Sequence, residues 1–264
     1  MKENYLIAML TDFGLKDWFV GTMKGVILGI NPSAKIVDIS HDISPQNVME
    51  ASYVLKSSSS YFPDRTIFLV VIDPGVGSNR KAIIVKTSSF LYVGPDNGVL
   101  SGIYRQEEAE VIEITNKAYF LPEISNTFQG RDIFAPVSAY LSMGVPPCLM
   151  GTKIDSIKTI EAMKPSIYDN KTVCGSIIYI DRFGNLITNL CEDFFADHGI
   201  DYKSISIKGN IINGLSNSYS EKPPGGLLAI KGSSGYIEIS VNQGNAGELL
   251  QAGTGDKVIV NSEQ

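Results

Sequence analysis

The chain contains few of the residues that zinc sites, disulfide frameworks and membrane spans require. Its 264 residues include three cysteines and two histidines, and no cysteine pair has CxxC spacing. Three cysteines are few and odd in number, which predicts a reduced, cytoplasmic protein without a zinc site. The longest run of aliphatic and aromatic residues, Ile67 to Ile72, is far shorter than the ~20 residues that a membrane helix needs. We therefore expect no metal and no membrane partner.

Positive charge is also scarce. The chain carries 22 Lys and Arg residues against 28 Asp and Glu residues, a net charge of −6. Proteins that bind nucleic acid usually present a basic surface, so this balance argues against a nucleic-acid partner. Apolar residues make up 44% of the chain, which excludes disorder for most of it. The length fits one large domain or two ordinary ones.

The commonest catalytic signatures are missing. The sequence has no GxSxG, no GxxxxGKS/T and no strand-linked GxGxxG. Asp12-Phe13-Gly14 matches a triplet of protein kinases, but no Gly-rich loop precedes it and no HRD follows. These absences argue against serine hydrolases, P-loop enzymes, dinucleotide-binding enzymes and kinases.

The first part of the chain, residues 1–155, alternates between strand and helix signals. Tyr5 to Leu10 is a continuous apolar run that predicts a strand, and residues 16–30 carry apolar side chains at helical spacing. Asp132 precedes another helical run that ends at Gly144, which predicts a helix capped by Asp132. Such alternation predicts an α/β domain with a largely parallel sheet.

The last part, residues 171–264, has a different sequence pattern. Short β runs are separated by turns rich in Gly and Asn, without a clear helical period. This pattern predicts an all-β domain, a small antiparallel barrel or sandwich. Residues 156–170, which include Pro165, form the predicted linker. The β runs are Val173–Ile180, Ser204–Lys208, Leu227–Ile230, Tyr236–Val241 and Lys257–Val260.

An aspartate recurs just past the end of predicted strands, at Asp12, Asp73, Asp96 and Asp181. In open α/β sheets, ligands bind outside the carboxyl ends of the strands. Carboxylates gathered there would attract a cation, a sugar diol or a metal. Asp-Pro-Gly and Pro-Asp-Asn-Gly are also ordinary turn sequences, so a purely structural role stays open.

Three segments carry further candidate groups. Residues 73–80 place Arg80 seven positions after Asp73 across a glycine-rich turn, so the two side chains can pair, in a ligand site or in a structural ion pair. Gln129 and Arg131 stand directly before a predicted helix N-terminus, where free N–H groups carry partial positive charge. Phe183 joins two predicted strands and is either a core residue or an exposed ring for stacking on a base.

Five motifs occur together and in order along the chain. Together they resemble the S-adenosylmethionine (SAM) hydrolases, also called SAM hydroxide adenosyltransferases, which are related to the SAM-dependent chlorinase and fluorinase. The resemblance extends from Leu6 to about Val260. It implies an N-terminal α/β domain, a C-terminal β-barrel and a homotrimer whose substrate lies between the N-domain of one subunit and the C-domain of the next. The motifs are Thr11-Asp-Phe-Gly14 with Asp17, Asp73-Pro-Gly-Val-Gly77 with Arg80, Gly94-Pro-Asp-Asn-Gly98, Thr127-Phe-Gln-Gly-Arg-Asp132 and Asp181-Arg-Phe-Gly-Asn185.

The resemblance implies a set of residues that hold a nucleoside substrate. Asp12 is similar to the carboxylate that binds the ribose diol, and Asp17 to a residue near the methionine end. Asp181 and Asn185 correspond to partners of the amino-acid moiety or the ribose. Phe183 is similar to the ring that stacks on adenine.

The remaining substrate residues implied by the resemblance lie near the C-terminus. Ser233 and Ser234 match a loop that contacts the methionine carboxylate, although the halogenases have Arg at the second position. Asn245 and Ala246 match groups that contact adenine through an amide or the backbone.

The same resemblance implies which residues surround the attacking water. The hydrolases share an Asp, Arg and His set, of which Asp73 and Arg80 match the first two members. The third position departs from the family pattern, because this chain has Gln129 where the family has His. Gln can orient water but cannot accept a proton at neutral pH. If His serves as the base, its loss would cost roughly 10²–10⁴-fold in rate.

These observations predict an enzyme that hydrolyses SAM to adenosine and L-methionine by in-line attack of water or hydroxide at C5′. We expect no cofactor beyond the substrate itself. Two alternatives stay open at this point. One is a SAM-binding or sensing protein whose catalysis is weakened by Gln129, and the other is a metal-dependent hydrolase built on the strand-end aspartates.

Overall fold

A computed structural model describes residues 5–104, 108–160, 164–169, 172–200 and 202–262. The chain divides into two compact units, Met1–Ile160 and Glu161–Gln264. In the described residues, no helix is both long and apolar enough to cross a membrane. The same residues contain no group of three or more His, Cys, Asp or Glu side chains placed to hold a metal ion. All three cysteines are free thiols.

The first unit is built on a seven-stranded mixed sheet with the strand order β2-β1-β3-β5-β4-β6-β7. β1 runs parallel to β2 and β3, and β3 runs parallel to β5. β4 is antiparallel to β5 and β6, and β6 is antiparallel to β7. The strands are β1 Leu6–Thr11, β2 Lys35–Ser40, β3 Ile67–Val71, β4 Ala82–Lys86, β5 Leu91–Pro95, β6 Glu110–Ile114 and β7 Gly151–Ile154.

The sheet is therefore only partly parallel, so the prediction of a largely parallel sheet is too broad. The reason lies in the connection between β4 and β5, which is residues 87–90 alone. Parallel neighbours need a crossover of about a dozen residues or more, whereas a short turn joins antiparallel ones. The strands that do run parallel, β2, β1, β3 and β5, place their carboxyl ends at one edge.

Helices cover both faces of this sheet. Ile7 and Met9 of β1 pack with α1 and α4 on one face, while Ala8 and Leu10 pack with α2 and α3 on the other. The alternation follows from the two-residue period of a strand, and it makes β1 apolar on both sides. The helices are α1 Phe19–Ile30, α2 Val48–Ser59, α3 Ser101–Tyr104 and α4 Ala135–Ser142, with 3₁₀ turns at Lys117–Tyr119 and Pro147–Leu149.

Asp132 does not cap α4, which corrects the prediction from its sequence position. A π-helical turn, Gly130–Phe134, precedes α4 and contains Asp132. Its carboxylate is fully buried and already engaged, because it accepts the Ser125 N–H at 2.8 Å and pairs with Arg131 Nε at 2.6 Å. A carboxylate held in this way has no free orientation toward the first turn of α4.

The second unit is an eight-stranded sheet in which every pairing is antiparallel. The order is β12-β11-β15-β9-β10-β14-β13, with β8 also paired to β9. The sheet is nearly barrel-shaped, because Ser216 N, just after β12, donates to Ala229 O of β13 at 2.8 Å. The elements are β8 Ser166–Asp169, β9 Thr172–Ile180, β10 Leu186–Cys191, α5 Glu192–Asp197, β11 Tyr202–Ile207, β12 Asn210–Asn213, β13 Leu227–Lys231, β14 Tyr236–Val241, α6 Ala246–Leu250 and β15 Lys257–Ser262.

The segment predicted as a linker is partly structured. Residues 166–169 of the predicted range 156–170 form β8, and the backbone of Lys158 bonds to Asp96 in the first unit. Residues 161–163 and 170 lie outside the described residues. The domain bounds 1–155 and 171–264 stay a prediction.

Candidate active site

Three of the strand-end aspartates follow β1, β3 and β5, which are three of the four parallel strands. Asp12 follows β1 directly, and its Oδ2 accepts the Gln46 N–H at 2.8 Å. Burial raises the pKa of Asp12; the hydrogen bond from Gln46 opposes this shift, and the negative charge of Asp73 adds to it. The carboxylates of Asp12 and Asp73 therefore interact electrostatically at this edge of the sheet.

His41 braces the loop that carries Asp12. Its Nδ1 lies 2.8 Å from Thr11 Oγ1 inside the protein, and its backbone carbonyl accepts the Gly14 N–H at 2.7 Å. Its Nε2 lies 3.0 Å from Asp38 Oδ1. Gly14 adopts a φ of +64°, which a residue with a side chain rarely adopts, so the loop turns sharply after Asp12. The buried imidazole fixes where that turn begins.

Asp73 and Arg80 form a close, buried ion pair across the glycine-rich turn. Arg80 Nε lies 3.1 and 3.0 Å from the two carboxylate oxygens of Asp73, and Arg80 Nη2 lies 2.5 Å from Oδ2. The side chains of Arg80 and Asp73 are only 5% and 6% exposed. Gly77 makes the turn possible, because its φ is +77° and a Cβ there would overlap the carbonyl oxygen of Asn126. A carboxylate can accept about four hydrogen bonds, so Asp73 retains acceptor capacity for a ligand or water.

Gln129 completes a three-residue cluster with this ion pair. Arg80 Nη2 donates to Gln129 Oε1 as well as to Asp73. Gln129 stands immediately before the π-helical turn, and the Arg80 guanidinium lies 5.2 Å above the Phe134 ring of that turn. Because the amide oxygen faces Arg80, the amide N–H₂ is the group that Gln129 can offer to a bound molecule.

The other predicted residues of the first unit have different surroundings. Asp17 is exposed on the loop before α1. Asp96 is buried and accepts the Lys158 N–H at 2.7 Å, which is a structural role.

Beside Asp17, the 60% exposed Trp18 packs edge-on against Phe128 with ring centroids 5.6 Å apart. Sequence reasoning did not single out this aromatic pair, although Phe128 lies next to Gln129.

In the second unit, Asp181 organises the turn between β9 and β10. Its Oδ1 accepts the N–H groups of Phe183 and Asn185, both at 2.9 Å, and its Oδ2 accepts Asn185 Nδ2 at 2.8 Å. These bonds hold the turn so that the Phe183 ring projects outward and is 74% exposed. An exposed ring on a fixed turn is suited to stacking.

This turn forms one wall of a cleft of about 840 Å³. Ser233, on the loop between β13 and β14, lines the cleft together with Asp181, Phe183 and Asn185. Ser234 follows on the same loop. Asn245 lies behind the turn and caps α6 by accepting the Glu248 N–H at 2.9 Å, while Ala246 is buried in the core. Four of the predicted substrate residues are thus gathered at one cleft, and the contacts predicted for Ser234, Asn245 and Ala246 stay predictions.

Comparison with known proteins gives the same two-part division. A family model described as the SAM hydroxide adenosyltransferase N-terminal domain matches residues 7–151, and its C-terminal counterpart matches residues 175–259. The chain belongs to the SAM hydroxide adenosyltransferase family.

Several known proteins are similar to the chain over three quarters of its length or more. The (R)-S-adenosyl-L-methionine hydrolase of Methanocaldococcus jannaschii is 36% identical, covering 98% of this chain and 97% of its own. That of Thermus thermophilus is 31% identical over 92% and 94% of the two chains. A fluorinase from an Actinoplanes species is 28% identical over 76% of each. The crystal structure of an uncharacterized conserved protein from Thermotoga maritima has a TM-score of 0.88 and 39% identity, over 97% of this chain and 99% of that one.

Two residues that line the cleft of this SAM hydroxide adenosyltransferase family member were not predicted from the sequence as site residues. Glu238 on β14 and Tyr219 both line the cleft, and Tyr219 Oη donates to Glu238 Oε2 at 3.1 Å. The signal for Glu238 was present, since a single acidic residue interrupts the apolar run Tyr236–Val241. Tyr219 stands in a serine-rich stretch without periodicity and gave no signal.

Proposed function

We propose that this protein hydrolyses S-adenosyl-L-methionine to adenosine and L-methionine. The observation that carries the proposal is the contact of Arg80 with both Asp73 and Gln129 at the carboxyl edge of the sheet. Relatives that match this chain over more than nine-tenths of its length are named (R)-S-adenosyl-L-methionine hydrolases. Both lines of support point to water as the nucleophile.

The proposed reaction is an in-line displacement at C5′ of the nucleoside. The water oxygen forms a bond to C5′ as the C5′–sulfur bond breaks, and the bonding electron pair moves to sulfur. The sulfonium thereby becomes the neutral thioether of methionine, so the leaving group needs no general acid. The proton lost by water passes to a carboxylate and then to solvent. A positioned nucleophile in a pocket with little water is the main requirement.

The cluster of Asp73, Arg80 and Gln129 meets this requirement in the proposal. Asp73 accepts a hydrogen bond from the water and takes its proton. Arg80 holds the Asp73 carboxylate in place and stabilises hydroxide-like charge on the nucleophile. Gln129 donates its amide N–H to the water or to the ligand, and its oxygen holds Arg80. Gln129 therefore orients and does not act as a base.

Substrate binding in the proposal uses groups from both units. Asp12 holds the ribose hydroxyls and Asp17 lies toward the methionine end. In the cleft of the second unit, the Phe183 ring stacks on adenine, and the loop with Ser233 contacts the methionine moiety. In keeping with the family resemblance, we propose a homotrimer in which the first unit of one subunit meets the second unit, closed as a β-barrel, of the next.

The experiment is incubation of the purified protein with SAM, with and without a chelator, followed by chromatography of the products. Adenosine and methionine in equal amounts, insensitive to the chelator, are the expected result. Loss of activity with chelator would favour a metal-dependent hydrolase built on the strand-end aspartates.

A SAM-binding or sensing protein is the second candidate function, and Gln129 in place of the family His favours it. Under this hypothesis, the protein binds SAM and leaves it intact. Calorimetric binding of SAM without any product after long incubation would replace hydrolysis with sensing as the function.

A further inference from the structure

Glu238 is a carboxylate that the fold holds in the cleft of the second unit. Its neighbours on β14, Ile237 and Ile239, are fully buried in the core of the sheet. Because side chains alternate along a strand, Glu238 faces the opposite side, yet it is only 8% exposed. A glutamate so far removed from water needs a partner or a function.

The surroundings of Glu238 are shaped around its carboxylate. Tyr219 Oη donates to Oε2 at 3.1 Å. The other oxygen, Oε1, lies against Gly232, and a Cβ built on Gly232 would overlap it. Only glycine at position 232 therefore leaves the carboxylate in its present place, next to Ser233 on the cleft wall.

One negative and one positive side chain share the lining of the cleft with Glu238. Asp181 shares the cleft, and its two oxygens already accept three local hydrogen bonds. Lys231 also lines the cleft, but its Nζ pairs with Glu192 at 2.5 Å. Burial raises the pKa of Glu238; the Tyr219 hydrogen bond lowers it, and the charge of Asp181 adds to the rise. Burial and the charge of Glu238 raise the pKa of Tyr219 to about 12, so Tyr219 stays a neutral donor.

We propose that Glu238 is a specificity-determining residue that pairs with a positively charged group of the ligand in this cleft. The inference rests on the proposed function and deepens it. SAM carries two cationic groups, the sulfonium and the α-ammonium, whereas the product adenosine carries none. Glu238 thus makes the site prefer the charged substrate over the neutral nucleoside that it releases, which favours release of adenosine after each turnover.

Calorimetric titration of three ligands tests this proposal. SAM, S-adenosyl-L-homocysteine and adenosine are titrated into the Asp73→Asn chain, which is expected to turn over slowly, with and without Glu238→Gln. The amide keeps the shape and the Tyr219 contact but loses the charge. Charge-assisted hydrogen bonds are about twice as strong as neutral ones, so SAM should bind roughly 10-fold more weakly, while adenosine changes by less than about twofold.

The homocysteine compound separates the two cationic groups, because it retains the α-ammonium but lacks the sulfonium charge. A parallel loss for this ligand identifies the ammonium as the partner, and no loss identifies the sulfonium. Equal weakening of adenosine and SAM, or no change in either, would overturn the proposal. Failure of the parent chain to bind SAM at all would instead contradict the proposed function.

A second pair of variants guards against a simple folding defect. Gly232→Ala pushes the Glu238 carboxylate aside and should reproduce the selective loss of SAM binding. Gly253→Ala is the matched control, because a Cβ there meets nothing within 4 Å.

The pH dependence of binding gives a further readout. SAM affinity should fall in acid as Glu238 takes up a proton, and this part of the pH dependence should be absent in Glu238→Gln. Identical pH profiles in the two chains would also contradict the proposal.

Discussion

Arg80 is the residue on which the candidate active site depends most, since its guanidinium contacts both Asp73 and Gln129. A lysine cannot make these contacts together, because its ammonium is a point charge without a planar fork. Arg80→Lys should therefore lower turnover while leaving the affinity for SAM nearly unchanged. Single-turnover kinetics beside a binding titration measure the two effects separately. A variant that binds SAM poorly and turns over bound substrate at the normal rate would assign Arg80 to binding.

Gln129 gives the sharpest comparison at this scale. If Asp73 and Arg80 activate the water and Gln129 only orients it, Gln129→His should change the rate by less than about tenfold, and Asp73→Asn should lower it by roughly 10²-fold or more. If position 129 supplies a base in the family, Gln129→His should instead raise the rate by about 10²-fold and introduce a pH dependence near the imidazole pKa. Rate profiles against pH for both variants decide between these outcomes. A large loss of SAM binding in a folded Gln129→His chain would remove this residue from the nucleophile pocket.

Asp12 links function to stability. Its pKa is raised in the folded protein by burial and by Asp73, although the Gln46 N–H opposes the shift. Folding therefore favours the protonated form, so the stability contributed by this group is present in acid and is lost as the pH rises through the raised pKa. Asp12→Asn should raise the melting temperature at pH 7, with a smaller gain at pH 4, and should weaken SAM binding. Thermal melts at the two pH values check this, and a lower melting temperature at pH 7 would contradict it.

At the scale of elements, the turn that presents Phe183 depends on Gly184. Its φ is +81°, and a Cβ there would overlap the Asn245 side chain that caps α6. Gly184→Ala should therefore cost the left-handed strain of about 1–2 kcal/mol plus an overpacking term of about 1–3 kcal/mol.

Gly199→Ala is the matched control for Gly184→Ala. Gly199 also has a positive φ, +62°, but a Cβ there meets nothing within 4 Å, so only the strain applies. Chemical denaturation of both variants measures the difference. Equal destabilisation would mean that the turn and α6 do not support each other.

The elements show what sequence patterns can reveal. Tyr236–Val241 forms β14 over the same residues that the mostly apolar run predicted, because every residue of this strand is buried. α6, Ala246–Leu250, was not predicted, since five residues are too few to show a helical period. The antiparallel half of the first sheet was also missed, because β6, Glu110–Ile114, mixes charged and apolar residues and no local pattern states strand direction.

The sequence identified several residues of the candidate site and missed others. The family resemblance grouped Asp73, Arg80 and Gln129, because each stands in one of the matching motifs, and in the structure Arg80 contacts both of the others. Glu238 and Tyr219 meet only through the fold, 19 positions apart, so no motif joins them. The contact of His41 with Thr11 likewise spans 30 positions and follows from the pairing of β1 with β2.

At the scale of the whole molecule, the proposed substrate groups are divided between two units, and the proposed homotrimer joins them across subunits. Light scattering should give the mass of three chains, and a stable monomer that binds SAM would contradict this assembly. A mixture of Asp12→Ala and Phe183→Ala chains, dissociated and reassembled together, should recover part of the binding that each variant lacks alone. The two variants assembled separately and then combined are the control, and recovery there would point to chain exchange.

If water attacks C5′ of SAM, the water oxygen must end in the adenosine product. The protein is incubated with SAM in heavy-oxygen water, and each product is analysed by mass spectrometry. We expect adenosine with one heavy oxygen atom at its 5′-hydroxyl and methionine without label. Methylthioadenosine as the nucleoside product, S-adenosyl-L-homocysteine with labelled methanol, or adenosine without heavy oxygen would each contradict attack of water at C5′.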